Sequence, residues 1–351
     1  MKKLILFSFF FLLTQISLMS QSCLPDGIVF SSQTSIDSFQ INYPGCTVIE
    51  GDVDITGNIT NLNGLSVLTR IEGVLWCVNN DTLLNFNGLN NLESVGGLNI
   101  GGFNRIVNMT GFDKLSTIEG LLFVSFNDSI INFSGLNSLV HVGSSVSIGA
   151  NPKLTDLSGF ENLVSIGGSL LFNHNDSLSD LTSLENLTTI NGGISITDND
   201  RLYNLYGLEN ISPASITSID ISENNNLSIC NIKSICNYLA TSNANIVIQT
   251  NSSGCMSQIE VEAACTVGIP YNIKDFQFVI YPNPASSILF ISRINGFNTF
   301  DVTIYNLYGQ KILQKHNVTD MIDVSRLDKG FYIIELVSNN LKIQEKLTIN
   351  K

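Results

Sequence analysis

A glycine followed by leucine or phenylalanine recurs at Gly64, Gly88, Gly111, Gly135, Gly159 and Gly207, with Ser183-Leu184 filling the one gap, so that successive anchors stand 24, 23, 24, 24, 24 and 24 residues apart. So regular a period means stacked units with one shared core, because a unit this short cannot bury its own apolar face. Segments within a unit are short and alternating, as in Val146-Ser147-Ile148 and Ile194-Ser195-Ile196, which puts apolar residues on one face of a strand and small polar ones on the other. Gly and Asn interrupt every few residues and leave no room for a long helix. The chain is therefore read as mostly β: a solenoid of 23–24-residue coils, seven or eight in number, with parallel strands. Such strands stack about 4.8 Å apart.

Positions that repeat in the coil carry the candidate roles. Asn80, Asn127, Asn151, Asn175 and Asn199 are equivalent, and stacked amides there would satisfy turn backbone and bond to neighbouring coils, a structural ladder. Four residues earlier, Trp76, Phe123 and Leu171 alternate with Asn99, Ser147 and Ser195 on the outward face, whereas Cys77 points inward. Trp76 is the only tryptophan, and an exposed ridge of this kind is the candidate ligand surface. Asp81, Asp128, Asp176 and Asp200 form another row. Calcium is conceivable near Asp198 and Asp200. No spacing makes a calcium loop, and acidic or amide residues are ordinary at turns, so no metal and no other cofactor is expected.

The run from Leu163 to Phe172, of the form Leu-x-x-Ile-x-Gly-x-Leu-x-apolar, resembles the receptor L domain, a leucine-rich-repeat-like family. The resemblance implies a right-handed β-helix over residues 47–229 and a binding or adhesive scaffold, without naming a ligand. The flanking segments 23–46 and 230–265 read as the end caps that a solenoid needs.

Residues 1–22 begin Met1-Lys2-Lys3, continue with an apolar run from Leu4 to Leu13, and leave through Ser20-Gln21-Ser22, the pattern of a secretory signal peptide. The run is too short to span a bilayer, and no other stretch reaches that length, so no transmembrane segment is expected after cleavage. Export makes the seven cysteines disulfide candidates. Cys23 with Cys46 is the simplest bridge, Cys230, Cys236, Cys255 and Cys265 supply two more of open connectivity, and Cys77 is left over.

Charge divides the chain. Residues 23–265 hold 23 Asp and Glu against 6 Lys and Arg, whereas residues 266–351 hold 7 against 9. The acidic body repels phosphate backbones, which argues against nucleic-acid binding. After a linker at 266–277, residues 278–351 show alternating segments at Ile288–Ser292, Asp301–Leu307, Ile322–Ser325, Gly330–Val337 and Lys346–Ile349, the spacing of a small β-sandwich. The ordered set Tyr281-Pro282-Asn283-Pro284, Tyr305-Asn306-x-x-Gly309-Gln310, Leu327-x-x-Gly330-x-Tyr332 and Lys346-Leu347-Thr348-Ile349 is similar to the type A sorting domain of the type IX secretion system. That similarity implies a Bacteroidetes-type bacterium, handling by the secretion machinery through residues 278–351, removal of the domain, and release or attachment at the outer surface. Asp81-Thr82-Leu83, Asp128-Ser129-Ile130 and Asp176-Ser177-Leu178 also resemble the O-glycosylation sequence of that group.

Motifs of catalysis are missing: no nucleophile elbow, phosphate loop, zinc-protease helix or dinucleotide fingerprint occurs, and the histidines are His141, His174 and His316 alone. The expected function is a non-enzymatic surface or secreted recognition protein, possessing an unknown protein or glycan ligand. A polysaccharide-processing enzyme or accessory module, and a structural surface-layer protein, are the alternatives.

Overall fold

The structure is a computed structural model that describes residues 21–241, 244–266, 278–293, 300–338 and 341–351. The expected signal peptide, apart from Gln21 and Ser22, and the linker from 267 to 277 lie outside the described residues. Two hydrophobic cores are present. One runs from Phe30 to Val261 and the other from Ile280 to Ile349.

The larger body is built on one 16-stranded parallel sheet bent along its length into two ladders. The long ladder runs through Ile28–Phe30, Val53–Thr56, the second halves of Arg70–Val78 and Ser94–Gly101, then Leu122–Ser125, Val146–Gly149, Leu170–Asn173, Gly193–Thr197, Ser218–Ser222 and Ile246–Gln249. A short ladder of two-residue strands, Thr117–Ile118, His141–Val142, Ser165–Ile166 and Thr189–Ile190, precedes each long strand by a tight corner. Through the central coils the partner of each residue lies 24 positions on: Leu122 pairs with Val146, Val146 with Leu170, and Leu170 with Ile194. Ten strands make the long ladder, more than seven or eight coils would supply, because the end segments extend the same pairing. Their lengths depart from the period, which hides them from repeat counting.

Inside the coils, apolar residues form columns of buried Leu, Ile and Phe. Phe133 stacks on Phe160 at 4.7 Å, and Phe86 meets Phe112 at the same separation. Cys77 belongs to such a column, between Ile55 and Ile100, and burial raises its thiol pKa, with Asp54 adding to the effect. The other six cysteines form Cys23–Cys46, Cys230–Cys255 and Cys236–Cys265. Short helices pack at the ends: α1 (Gln33–Asp37) and α2 (Phe39–Asn42) at one, α3 (Lys233–Leu239) and α4 (Gln258–Thr266) at the other. The third bridge ties α3 to α4. No helix among the described residues is long and apolar enough to cross a membrane.

The recurring glycine answers to coil-on-coil proximity. Gly159 has φ +114°, and a Cβ there would overlap the Phe133 carbonyl of the preceding coil. Ser183 stands in a 3-10 turn, Thr182–Leu184, in place of the left-handed turn.

Buried asparagines join the turns. Asn127, Asn151, Asn175 and Asn199 form a continuous ladder that extends to Asn224 and Asn251. Each backbone N–H donates to the next amide oxygen, at 3.2 Å from Asn151 to Asn175. Each Nδ2 also donates to a carbonyl of the previous coil, at 3.0 Å from Asn151 to Val124. Asn80 occupies the equivalent place in its own coil, but the next rung there carries Phe103, which has no amide. Its side chain instead donates to the Ile59 carbonyl and accepts from the Thr82 and Leu83 N–H groups.

A second turn column is less comfortable. Asn132, Asp156, Asp180 and Asn204 each accept an N–H two residues on. Asp180 has its pKa raised by burial, and the Asp156 carboxylate one coil away adds to the shift against the bonds from Thr182.

The smaller body pairs a three-stranded sheet, Phe278–Tyr281, Ile288–Arg293 and Met321–Asp323, with a four-stranded antiparallel sheet. The latter is formed by Lys311–Val318, Phe300–Asn306, Gly330–Ser338 and Leu341–Ile349 in that order. Phe278–Tyr281 and Lys311–Val318 are strands that the sequence pattern does not single out, the second because exposure on most of its length removes the alternation.

Two outcomes follow for stability. Asn151→Leu keeps the branched shape but strands the Asn127 N–H and the Val124 carbonyl in the interior, and should lower unfolding stability by about 3 kcal/mol in urea melts. For Asp180 the raised folded pKa means that the native state resists ionisation, so its penalty is present at neutral pH and disappears as pH falls through the folded pKa. Asp180→Asn, the residue that stands at the equivalent place in the coils of Asn132 and Asn204, should raise the melting temperature at pH 7 and lose that advantage in acid.

Candidate functional site

Where strands lie in strict register, outward side chains line up in straight columns. One column reads Val29, Asp54, Trp76, Asn99, Phe123, Ser147, Leu171, Ser195, Asp220 and Val247 across the long ladder. From Asp54 to Ser195 a small polar residue alternates with a large apolar one, so Trp76, Phe123 and Leu171 stand two rungs apart. That separation is about 9.6 Å. Trp76 is 40% exposed, and Phe123 and Leu171 are half-buried. The side chains on either side within each strand face the core.

Between Trp76 and Phe123 the rung is nearly bare. Ile71, Val95 and Ile118 pair with one another, as do Leu75, Leu98 and Leu122, so the strand Ser94–Gly101 turns its corner with one residue fewer than its neighbours. Gly96 and Gly97 make that short corner, and a Cβ on Gly96 would overlap the Glu72 carbonyl. Gly101 and Gly102 follow Asn99 and Ile100. The single 23-residue interval therefore yields a floor of glycine and Asn99 between two aromatic walls.

The surroundings extend this surface. Phe126, three residues beyond Phe123, is 69% exposed in a left-handed conformation with φ +61°, a place where bulky residues are uncommon. Leu121 is exposed just before the strand that carries Phe123. Sequence reasoning passed over both, since neither falls on the alternating column, and it missed Val29 and Val247 because the end coils break the count. In the first of these a signal existed: bulky apolar residues at a turn are conspicuous when polar ones fill that turn elsewhere.

Charge on this face is sparse and negative. The strands of the long ladder from Val74 to Gln249, with Ile28–Phe30 and Val53–Thr56, carry no Lys or Arg, and their only charged residues are Asp54 and Asp220. Asp54 has one carboxylate oxygen buried without a hydrogen-bond partner. Asp220 accepts from the Ser222 hydroxyl at 2.8 Å.

The aspartates considered for calcium are engaged differently. Asp198 Oδ2 lies 3.1 Å from His174 Nε2, and Asp200 accepts from Asn225 at 2.7 Å. Asp81 likewise accepts from Asn104 at 2.7 Å. Among the described residues no three metal-ligating side chains converge.

In the smaller body the motif residues hold the sandwich together. Asn283 donates to the Lys346 carbonyl at 2.7 Å and accepts from the Thr348 N–H at 2.8 Å, which ties the segment Tyr281-Pro282-Asn283-Pro284 to the last strand. Both proline peptides there are cis. Tyr281 stacks on Phe290 and on Tyr203 of the larger body, and its pKa is raised by burial. Gly309 closes the Asn306–Gln310 turn at φ +80°, and Leu327 is buried. Tyr332 donates to the Asp328 carbonyl at 2.9 Å, and the Lys346 ammonium sits 4.4 Å above the Phe331 ring. Gly330 opens the strand that pairs with the final one.

Comparison with known proteins divides the chain along the same lines. Over 102 residues it is 30% identical to beta-agarase D of Zobellia galactanivorans, a match covering 29% of this chain and 20% of that protein. The chain thus spans about one fifth of the length of that curated relative. The sequence model of the receptor L domain matches residues 140–266, and that of the secretion system C-terminal sorting domain matches residues 279–350, so the chain carries a receptor L domain joined to a C-terminal sorting domain.

Proposed function

We propose that the protein is an exported, non-enzymatic recognition protein that binds a protein or glycan through the outward face of its long ladder, with residues 278–351 as a sorting signal removed on the way out. The observation that carries this reading is the column in which Trp76, Phe123 and Leu171 alternate with the small polar residues Asn99, Ser147 and Ser195. Buried cores supply stability without such residues, and large aromatic groups held on a rigid scaffold are the usual anchors of binding. The sorting-domain match implies export to the cell surface or secretion by the type IX machinery.

The finer parts of the reading are of the same kind. Residues 1–22 act as the signal peptide, 23–46 and 230–265 cap the solenoid, 47–229 form a right-handed coil, and 266–277 link it to the tail. The five-asparagine set of Asn80, Asn127, Asn151, Asn175 and Asn199 is structural, as the buried bonds of its members support. Release and surface attachment are both compatible with this arrangement.

The similarity to an agarase supports a second reading, a role in polysaccharide processing, in which the present chain acts on or beside a glycan. Incubating the purified protein with algal and plant polysaccharides separates the two: binding without products supports the first, and released oligosaccharides support the second.

Sorting and recognition have separate expected outcomes. The mature surface or secreted form should lack residues 278–351 by mass spectrometry, and Asn283→Ala, which unties the tail from its last strand, should retain the protein inside the cell. A full-length mature form would contradict the sorting role. For recognition, Trp76→Ala with Phe123→Ala should cut binding on glycan and protein arrays by tenfold or more, since each large aromatic anchor contributes about 1–2 kcal/mol or more. Unchanged adhesion and array binding would refute the ridge.

A further inference from the structure

Three surfaces compete for a specific role. The turn column at Asp156 and Asp180 is a pair of carboxylates already used in turn hydrogen bonds, and the exposed rings of the smaller body belong to its sorting role. The ridge is the one whose geometry restricts its occupant.

We infer that the ridge takes a neutral, extended pyranose chain laid along the stacking axis, alternate sugars resting on Trp76, Phe123 and Leu171. The inference rests on the proposed binding role of this face and adds the ligand class. Three observations support it. The first is period. A chain of equatorially linked pyranoses forms a two-fold ribbon in which each sugar is about as long as one rung is wide, so the same ring face recurs at every second rung. Large apolar groups recur on this face at every second rung as well, over unbroken register from Asn99 to Ser195. An extended peptide laid the same way repeats a face every ~6.8 Å, which falls out of step with platforms about 9.6 Å apart.

The second is what lies between the platforms. Asn99, Ser147 and Ser195 present amide and hydroxyl groups that pair with sugar hydroxyls, and with glycine at 97 and 101 Asn99 is the one side chain that its strand raises on this face between Trp76 and the next platform. Phe123 and Trp76 supply the stacking surfaces that sugar C–H faces require. The third is charge. With no Lys or Arg on the long-ladder strands, and Asp54 and Asp220 as their only charged groups, a uronate or sulfated chain would meet no counter-charge.

Calorimetry on the full chain tests this with neutral β-1,4-linked probes, cellotriose, cellopentaose, mannotriose and mannopentaose, and with tri- and pentamannuronate, also β-1,4-linked, as acidic counterparts. Trp76 to Leu171 spans five rungs, Trp76 to Phe123 three. A neutral pentaose should therefore bind about tenfold tighter than the triose, as one further platform of about 1.4 kcal/mol predicts. Leu171→Ala should erase that gain and leave triose affinity unchanged, whereas Trp76→Ala should weaken both. Melting curves matching the wild type show that the variants fold, and Ser147→Arg, which raises a long side chain between platforms, should also remove the pentaose gain. Equal affinity for the two lengths, preference for the mannuronates, or no binding of any neutral probe would overturn the assignment. Trp76-dependent capture of a protein in place of these sugars would overturn it while leaving the recognition face intact; variants that alter no binding at all would remove the face itself.

Discussion

Every coil of the larger body has to superpose on the next at nearly constant offset, because its backbone donors and acceptors are satisfied by neighbouring coils. Parallel pairing places Leu122, Val146, Leu170 and Ile194 on one line, and a slip of one residue would turn the inner face outward. The asparagine ladder applies the same constraint through side chains: Asn127, Asn151, Asn175 and Asn199 each accept an N–H from the preceding coil and donate both to a carbonyl of that coil and to the amide oxygen of the next. Glycine enters for the same reason, at Gly159 and its equivalents, where coils approach too closely for a Cβ. Alternation, punctuation and amide placement are thus consequences of one stacking rule.

That rule also creates the surface available for binding. Since register fixes which residues share a column, a residue on the outer face acquires neighbours from 24 positions away without any local sequence relation. The single shortened corner, at Gly96 and Gly97, keeps the columns aligned and sets Asn99 beside Trp76. Interior order and exterior spacing have the same origin. Stacking thereby fixes the spacing of Trp76, Phe123 and Leu171 on the outer face.

The smaller body is held by a different logic, antiparallel sheets closed by side chains such as Asn283 that bridge distant segments. Its motif residues shape turns and edges, which accounts for their fixed order along the chain. The charge contrast between an acidic body and a slightly basic tail follows this division.

Repeat spacing, strand alternation and the cysteine distribution made the β-solenoid character and the disulfide content legible from sequence, because these depend on local period and on residue type. The outward placement of Trp76 and Phe123 was readable for the same reason. The number of rungs was not: Asp54 lies 22 residues before Trp76 and Val247 lies 27 after Asp220, so the end coils join the ladder only once the backbone has folded. Nor was the reach of the asparagine ladder, which gains Asn224 and Asn251 and passes by Asn80 because Phe103 sits on the adjoining rung. Sequence determined the period and the two faces of each strand. Tertiary structure alone decided which coils meet, and therefore that Asn99, with glycines on both sides of it, lies between Trp76 and Phe123, because that contact is set by pairing between coils and not by neighbours along the chain.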